Sequence, residues 1–369
     1  MKLLHTADVH LGRPFSGLGS RGKQLRAAQL GTLRRIVDIA ASEKVDCVVI
    51  AGDLFDSNEV SGTLVRKVVH QFGAIDPVPV FVLAGTHDLL DDTSIYLRPE
   101  FKQSPNIYTF GLDGDSFEVD GATVTGYPND TRQGGIRPLK KVRPDPEADV
   151  NVAVIHASIA IKGKSSPDDY LVSQEDISRS GFAYVALGHW HRQGDYSSGG
   201  TTAWYPGAPE PLKFDEGDGA GDVLLVDIGA KKVSVEPRHV GQFKWLEETY
   251  DVAKYPPGGP LESELKKLAG AEALLRVHLR GVAPKGLRID PTVIEEDLTG
   301  EFFHLEVEAS RVGYPVNELE RFPSGTVGAI FIQDLKKRIK NTKSPEQKAL
   351  LEEALYRGAS YLAGDMEVN

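Results

Sequence analysis

The sequence is poor in cysteine and has no long hydrophobic run. Among its 369 residues only Cys47 is a cysteine, which excludes an internal disulfide framework and favours a reducing compartment. No stretch approaches the roughly 20 apolar residues that span a bilayer. The opening residues, MKLLHTADVHLG, are too polar for a signal peptide. We therefore expect a cytoplasmic protein that does not enter a membrane.

Positive charge is also in short supply. Lysine and arginine number 42 against 53 aspartates and glutamates, and the net charge of −11 argues against a surface coated for nonspecific nucleic-acid binding. Local basic faces stay open, because basic residues cluster in three segments, 21–35, 137–143 and 336–343. Charge alone therefore leaves the substrate undecided.

The N-terminal part of the chain alternates short runs rich in valine and isoleucine with helical patterns. Such continuous apolar runs are typical of strands covered on both faces, and we predict strands at 2–6, 46–51, 78–84, 150–156 and 183–187. Apolar residues at helical spacing predict helices at 23–44 and 61–72. The resulting βαβαβ order implies parallel pairing with right-handed crossovers.

Four later runs, at 116–119, 123–126, 202–205 and 222–228, come without intervening helices and suggest antiparallel strands. We therefore predict an α/β fold in which residues 1–235 form a two-sheet α/β sandwich. Beyond this sandwich, the run PPGGP at 256–260 predicts a break in regular secondary structure. Residues 236–322, with a helix at 261–269 and strands at 273–279 and 302–309, are predicted to form a small α+β accessory domain. Residues 323–369 are predicted to form a helical tail, in which Ser344 and Gln347 fit a capping box.

Aspartates and histidines stand where five of the predicted strands end. The segments are Asp8-Val9-His10, Gly52-Asp53, Gly85-Thr86-His87-Asp88, His156 and Gly188-His189-Trp190-His191. In an open α/β sheet the carboxyl ends of the strands form one crevice where ligands bind, so these side chains should meet. Glycine before Asp53, Thr86 and His189 lets the backbone turn tightly. The histidines outside this pattern are expected to be structural: His5, His70, His239, His278 and His304.

So many carboxylates and imidazoles cannot be buried together without compensation, and divalent cations would provide it. Mixed imidazole and carboxylate ligands suit Mn, Fe or Zn better than Mg or Ca, and we expect Mn. With two ions one carboxylate must bridge, and Asp53 is the central candidate. Two ions about 3.5–4 Å apart bind a phosphate and generate a nucleophile at neutral pH. The sequence therefore predicts a phosphoesterase.

The five segments, in this order, resemble the motif series of the calcineurin-like metallophosphoesterases. The flanking text is similar to that of the SbcD-type DNA repair nucleases, the family that includes the meiotic recombination nuclease: LLHTADVHLGRPF at 3–15, AGDLFDS at 51–57, LGHWHRQ at 187–193 and WYPGAPEP at 204–211. The resemblance implies two ligand sets. One ion would be held by Asp8, His10, Asp53 and His191, and the other by Asp53, His156, His189 and the residue at 86.

The resemblance also implies a role for His87, which would face the phosphate and protonate the leaving oxygen or stabilise the transition-state charge, with Asp88 beside it. Two positions depart from the family pattern. Thr86 stands where the family has asparagine, and because a neutral hydroxyl is a poor ligand, the second ion is expected to bind weakly, through water, or only with substrate present. Asp56 stands where many nucleases of this type carry a histidine near the phosphate.

The leading hypothesis is a metal-dependent DNA phosphodiesterase of DNA repair and recombination, an exonuclease for which endonuclease activity stays open. The resemblance implies a homodimer and an SbcC-like coiled-coil ATPase partner. Residues 236–322 would then help to hold DNA, and the C-terminal helices would either dock the partner or pack on their own domain. Two alternatives stay open. One is a phosphatase or phosphodiesterase for a small substrate; the other is a DNA-end-binding module with a degenerate site, which Thr86 would explain.

Overall fold

Runs of buried valine, leucine and isoleucine form most of the strands of the N-terminal part. A computed structural model describes residues 1–132, 134–161, 169–255, 261–283, 289–313 and 322–363 of the chain. The chain divides into two units, Met1–Phe243 and Lys244–Asn369. The break in secondary structure predicted at 256–260 lies outside the described residues. Within them, no helix combines the length and the apolar character needed to cross a membrane.

The described residues of the first unit form the strands and helices named here. The strands are β1 (Lys2–Thr6), β2 (Cys47–Ala51), β3 (Val80–Leu83), β4 (Ile107–Thr109), β5 (Asp115–Val119), β6 (Ala122–Tyr127), β7 (Val150–His156), β8 (Ser158–Ile159), β9 (Leu171–Val172), β10 (Tyr184–Gly188), β11 (Gly194–Asp195), β12 (Thr202–Tyr205), β13 (Asp222–Ile228) and β14 (Val233–His239). The helices are α1 (Arg21–Glu43), α2 (Gly62–Gly73), α3 (Pro99–Lys102) and α4 (Gln174–Ser178). The five strands and two helices predicted first are all present.

Two six-stranded sheets face each other in this unit. Their strand orders are β14-β13-β1-β2-β3-β4 and β11-β12-β10-β7-β6-β5. In each sheet four neighbouring strands run parallel, β1 to β4 in one and β6, β7, β10 and β12 in the other, and antiparallel strands complete the edges. The predicted two-sheet α/β sandwich is confirmed.

The apolar core of the first unit has three parts: one between the sheets, one under the helices, and one on the outer face of the second sheet, where Val185 and Tyr205 are buried. Inner faces of both sheets pack against each other through residues such as Leu3, Val49 and Val154. Helices α1 and α2 cover the outer face of the first sheet, where Leu33 and Val65 are fully buried. His5, fully buried in β1, bonds Tyr184 Oη of the opposite sheet through Nδ1 at 2.8 Å, and so has the structural role expected of it.

The later strands follow the prediction in part. β5 and β13 are antiparallel to their neighbours, as expected. β6 and β12 are antiparallel to β5 and β11 on one side, as expected, but they run parallel to β7 and β10 on the other, which the prediction did not include. The connections at 128–149 and 189–201 explain this, because a crossover of about a dozen residues or more can return the chain to the same end of the sheet, and the described residues of these two connections form no α-helix.

A buried glutamate ties the end of the first unit to α1. Glu210, only 2% exposed, accepts from Phe243 N at 2.7 Å, Gln242 N at 2.9 Å and Thr32 Oγ1 at 2.6 Å. The sequence put the boundary at 235/236, inside β14. The structural division lies after Phe243, because β14 pairs along its length with β13 and the Glu210 bonds hold the residues that follow it.

The second unit is built on a βαβαβ pattern. Its elements are β15 (Lys244–Asp251), α5 (Leu261–Lys266), β16 (Gly270–Val282), α6 (Pro291–Asp297) and β17 (Phe302–Gly313), and the three strands pair in parallel. The sequence predicted the helix at 261 and the last two strands, whereas β15 was not predicted. Polar side chains of one sheet face contact each other across the strands, and the two ring nitrogens of His278 lie 2.8 Å from the carboxylates of Glu247 and Glu308.

The C-terminal helices pack within this second unit. They are α7 (Val327–Asn341) and α8 (Pro345–Ala363), and they meet through Ile332, Leu335 and Leu355. α8 also contacts β17. Ser344 accepts from Gln347 N at 3.4 Å, which is one half of the predicted capping box. The described contacts therefore show packing of the tail on its own unit, and partner docking stays a prediction.

Glu210→Ala should lower the free energy of unfolding by about 3 kcal/mol, because it removes the acceptor of one buried and one partly buried N–H group, those of Phe243 and Gln242. The exposed Glu118 of β5 is the matched control, and Glu118→Ala should change stability by less than about 0.5 kcal/mol. Urea denaturation of both variants measures the difference. Equal stabilities would show that the Glu210 bonds do not hold the end of the unit.

Candidate metal centre

The carboxyl ends of strands from both sheets meet at one edge of the sandwich. Asp8 N donates to Gly52 O at 3.0 Å, which aligns the segments that follow β1 and β2. Two contacts cross between the sheets: His189 N lies 3.0 Å from Asp8 Oδ2, and His156 Nδ1 lies 2.9 Å from Ala51 O. The predicted meeting of the five segments is thus seen in the structure, with both sheets contributing.

The Asp53 carboxylate lies at the centre of this group and is 1% exposed. Its Oδ1 accepts from His87 N at 2.8 Å, which fixes the carboxylate plane. Its Oδ2 lies 3.3 Å from His156 Nε2, 3.6 Å from His10 Nε2 and 3.4 Å from Thr86 Oγ1. One oxygen therefore faces ligand candidates from both sheets.

Two pairs of histidine nitrogens approach each other on either side of Asp53. His10 Nε2 lies 3.2 Å from His191 Nε2, and His156 Nε2 lies 3.3 Å from His189 Nδ1. Atoms that bind one ion at about 2.1 Å lie roughly 3.0–3.4 Å apart in octahedral or tetrahedral geometry. Both nitrogen pairs match that spacing. The donor set, imidazole with carboxylate, therefore fits divalent metal ions.

Three compact groups of side chains bring their donor atoms within 4.8 Å of one another: Asp8, His10 and His191; His10, Asp53 and His87; and Asp8, Asp53 and His156. All of these residues were predicted from the sequence. His189 joins them through its contact with His156, and the Thr86 hydroxyl lies 3.4 Å from His156 Nε2. The predicted metal ligands are thus brought together.

Hydrogen bonds on the far side of three imidazoles fix their orientation. His10 Nδ1 lies 3.2 Å from Asp56 Oδ1, His191 Nδ1 lies 2.7 Å from Glu216 Oε1, and His156 Nδ1 bonds Ala51 O. Outer carboxylates and carbonyls of this kind hold a ligand histidine in one tautomer with its other nitrogen free for the metal. Sequence reasoning missed Glu216, because nothing in its loop indicates contact with a histidine.

The charges of the buried groups strongly perturb each other. Burial raises the pKa of Asp8, and the neighbouring Asp53 raises it further, whereas His191 and His156 oppose that shift. Burial acts against ionisation of Asp53 too, but His156 and His10 hold its pKa well below the usual range. Burial lowers the pKa of His189 to about 3, so this imidazole is neutral at pH 7, as a metal ligand must be.

His87 and Asp88, predicted as a catalytic pair, occupy different environments. His87 is exposed at the rim, where its ring packs edge-on against His10 and its Nδ1 lies 3.2 Å from Asp56 O. Asp88 is fully buried and accepts from Gly85 N at 2.8 Å, from Phe55 N at 3.0 Å and from Tyr96 Oη. Asp88 therefore holds two loops in place and does not face the rim beside His87.

Backbone conformation at the site is unusual for residues with side chains. Asp8, His10 and Asp53 have φ values of 55°, 48° and 52°, and His189 has 109°. Left-handed φ costs about 1–2 kcal/mol per residue, so the surrounding contacts must hold these residues in place. Such clustering of strained residues is typical of functional sites.

The glycines that precede the ligands are needed for space. A Cβ at Gly188 would lie 1.7 Å from Ala51 O, and a Cβ at Gly85 would lie 2.2 Å from Asp53 Oδ1. Gly52 combines a φ of 94° with a Cβ position 2.1 Å from His156 Nδ1. The tight turn predicted before each ligand is therefore a close approach between neighbouring segments of the site, and of these three glycines only Gly52 also needs a left-handed φ.

The fold and this arrangement of aspartates and histidines define a class of protein. A family model for calcineurin-like phosphoesterases matches residues 1–193, more than half of the chain. The chain belongs to this family, whose members use divalent metals for phosphoester hydrolysis.

Particular relatives are similar at modest identity. The uncharacterized metallophosphoesterase YhaO of Bacillus subtilis is 24% identical over 333 residues, 86% of this chain and 80% of that protein. The DNA double-strand break repair protein Mre11 of Methanopyrus kandleri is 31% identical over 58% of the chain, and that of Aeropyrum pernix 28% identical over 64%. The chain spans 50% and 60% of the length of these two repair proteins.

Two solved structures also match in part. The protein TT1561 of Thermus thermophilus has a TM-score of 0.39 at 12% identity, covering 65% of this chain and 98% of its own. Purple acid phosphatase PPD1 from yellow lupin has a TM-score of 0.39 at 13% identity, covering 65% of this chain and 51% of its own.

Gly188→Ala should destabilise the protein by about 3 kcal/mol, because its Cβ would overlap a backbone oxygen that cannot move away. The overlap would also displace Ala51 O from His156, so metal binding should weaken. Gly73→Ala is the control: its Cβ meets nothing within 4 Å at the end of α2, and stability should change by no more than about 1 kcal/mol. Urea denaturation and metal content measure both effects, and equal behaviour of the two variants would contradict the close approach.

Proposed function

We propose that the chain is a two-metal DNA phosphodiesterase that works with Mn, an exonuclease of DNA repair with or without endonuclease activity. The observation that carries the proposal is the Asp53 carboxylate, whose Oδ2 faces His10 from one sheet and His156 from the other. The Mre11 relatives support DNA as the substrate, since they are similar to this chain over more than half of its length.

The contacts around Asp53 suggest two subsites that share it. Asp8, His10 and His191 lie on one side, and His156, His189 and Thr86 lie on the other. Two ions held there would bind the phosphate, supply the nucleophile and offset the charge that develops in the transition state. The weakest donor is Thr86, whose neutral hydroxyl gives the second subsite less binding energy than the first.

His87 is placed to act on the substrate, since it is exposed beside both subsites. The bond from its Nδ1–H to Asp56 O orients the ring and leaves Nε2 as the nitrogen that would meet the leaving oxygen, to which the imidazolium form would give its Nε2 proton. Arg13 Nη1 lies 3.3 Å from Asp56 Oδ1, and this cation offsets the carboxylate that stands where related nucleases carry histidine. Because Arg13 offsets the negative charge of Asp56, an anionic phosphodiester can approach the rim.

Assembly stays a prediction. A homodimer, an SbcC-like coiled-coil ATPase partner and a DNA-holding role for the second unit are all part of the proposal. On the described face of β15–β17, basic side chains pair with acidic ones, as in Arg276 with Glu306 at 3.1 Å. Contact between this face and DNA would therefore involve the part of the face outside such pairs.

Asp53→Asn should lose metal at both subsites and abolish cleavage of linear double-stranded DNA in Mn, because an amide cannot bridge two cations. Metal content by mass spectrometry and a nuclease assay measure the two effects. Asp38→Asn is the control, since Asp38 is an exposed residue of α1, and it should retain both metal and activity.

Each alternative gives a different result in that assay. Rapid hydrolysis of bis-p-nitrophenyl phosphate by the wild type without DNA cleavage would favour a small substrate. Tight DNA binding without hydrolysis in Mn, Mg, Zn or Fe would favour a DNA-end-binding module. Two retained ions and near-normal turnover in Asp53→Asn would refute the bridging role.

His87→Ala should keep its metal ions and lose turnover by about 10²–10⁴-fold, as expected when proton transfer is removed. His70→Ala serves as control, because His70 is an exposed histidine of α2 outside the site. Metal analysis of both variants accompanies the rate measurement. Loss of metal from His87→Ala would make His87 a ligand, consistent with its proximity to His10 and Asp53.

A further inference from the structure

Asn129 carries a buried side-chain amide that makes no hydrogen bond to the described residues. Its side chain is 0% exposed, and in the described part of the chain neither the amide nitrogen nor the amide oxygen has a hydrogen-bond partner. A buried polar group without a partner is costly, and such a group calls for a partner of another kind, such as an ion or a ligand.

Its position brings Asn129 to the metal centre. Asn129 N donates to Ala84 O at 3.1 Å, directly before the Gly85-Thr86-His87-Asp88 segment, and Leu90 N donates to Asn129 O at 2.9 Å shortly after it. Asn129 thus underlies the loop that carries Thr86 and His87. In the other direction, Tyr127 of β6 pairs with Ile155 of β7, so Asn129 lies just beyond the end of that pairing, where His156 is also delivered.

The neighbouring carboxylates already have hydrogen-bond partners other than this amide. Asp88 is satisfied by two backbone N–H groups and Tyr96, and the next residue, Asp130, accepts from Tyr170 Oη at 2.8 Å. The amide is as completely buried as Asp8, His10 and His156, so a substrate bound at the rim would not reach it directly. The groups that the neighbouring strand ends deliver here include two metal-ligand candidates, His156 after Ile155 and Thr86 after Ala84 and Gly85.

We infer that Asn129 serves the second subsite, where its side-chain amide oxygen is the neutral donor that complements Asp53, His156 and His189. Amide carbonyl oxygens are good ligands for hard and intermediate divalent cations, whereas the Thr86 hydroxyl is a weak one. Asn129 would therefore supply from a neighbouring strand end what position 86 does not. This inference rests on the proposed two-metal centre.

The test is calorimetric titration of the metal-stripped 369-residue chain with Mn²⁺ alone, with melting temperatures recorded before and after loading. Wild type should bind two Mn²⁺ per chain with unequal affinity. Asn129→Leu should weaken the second event by at least about tenfold and leave the first unchanged. Its stripped form should melt no lower than wild type, because removing an unpaired amide in favour of an apolar group of similar shape is neutral or stabilising.

Two further variants separate a role toward the metal from a purely structural one. Asn106→Leu is the matched control: Asn106 is also buried, but it donates to Phe72 O at 2.9 Å, so its loss should lower the melting temperature without changing Mn²⁺ affinity. Thr86→Asn should strengthen the second event. In a Thr86→Asn background, Asn129→Leu should cost less than in wild type, because a second amide is then available.

The outcomes distinguish this inference from the proposed function. If wild type binds two Mn²⁺ and Asn129→Leu binds them equally well, the role of Asn129 is refuted and the two-metal centre stands. A variant that loses melting temperature and both binding events together would show a structural residue and also refute the inference. If wild type binds fewer than two Mn²⁺, the two-metal centre fails, and the assignment of Asn129 fails with it.

Discussion

The Asp53 carboxylate sets the geometry on which the rest of the site depends. One oxygen accepts from His87 N, which fixes the rim loop, and the other faces His10 and His156 from opposite sheets. Because Asp53 is buried, its charge needs nearby positive charge, and the imidazoles or a cation must supply it. Its left-handed φ, and those of Asp8 and His10, are consequences of turning three side chains toward one point immediately after their strands.

Support for that geometry comes from groups on the far side of the ligands. Asp56, Glu216 and Ala51 O each hold an imidazole from behind. Asp88 holds Gly85 N and Phe55 N, so it links the two loops that carry Asp53 and His87. The positions of the ligand side chains are therefore fixed by two sets of hydrogen bonds to the backbone, one between the parallel strands and one from the loops to buried carboxylates.

Much of the fold and most of the candidate ligands could be predicted from the sequence, because buried parallel strands have a plain apolar signature and the ligands follow directly where they end. Glu216 and Asn129 could not, since their proximity depends on how distant loops come to rest. The parallel pairing of β6 and β12 was also missed, because a crossover without a helix leaves no periodic signal. Asp88 was predicted to be catalytic because it follows His87 in the sequence, but adjacent residues on a tight loop point in different directions.

The division of the ligands between two sheets has a mechanical consequence. Asp8, His10, Asp53 and Thr86 follow strands of one sheet, and His156, His189 and His191 lie at the ends of strands of the other. A cation bound between them would be held by ligands from both sheets and would link the sheets at this edge. Its binding free energy then adds to the cohesion of the sandwich. A substitution deep in the core that lets the sheets separate slightly would register first as lost metal affinity, well before the protein unfolds.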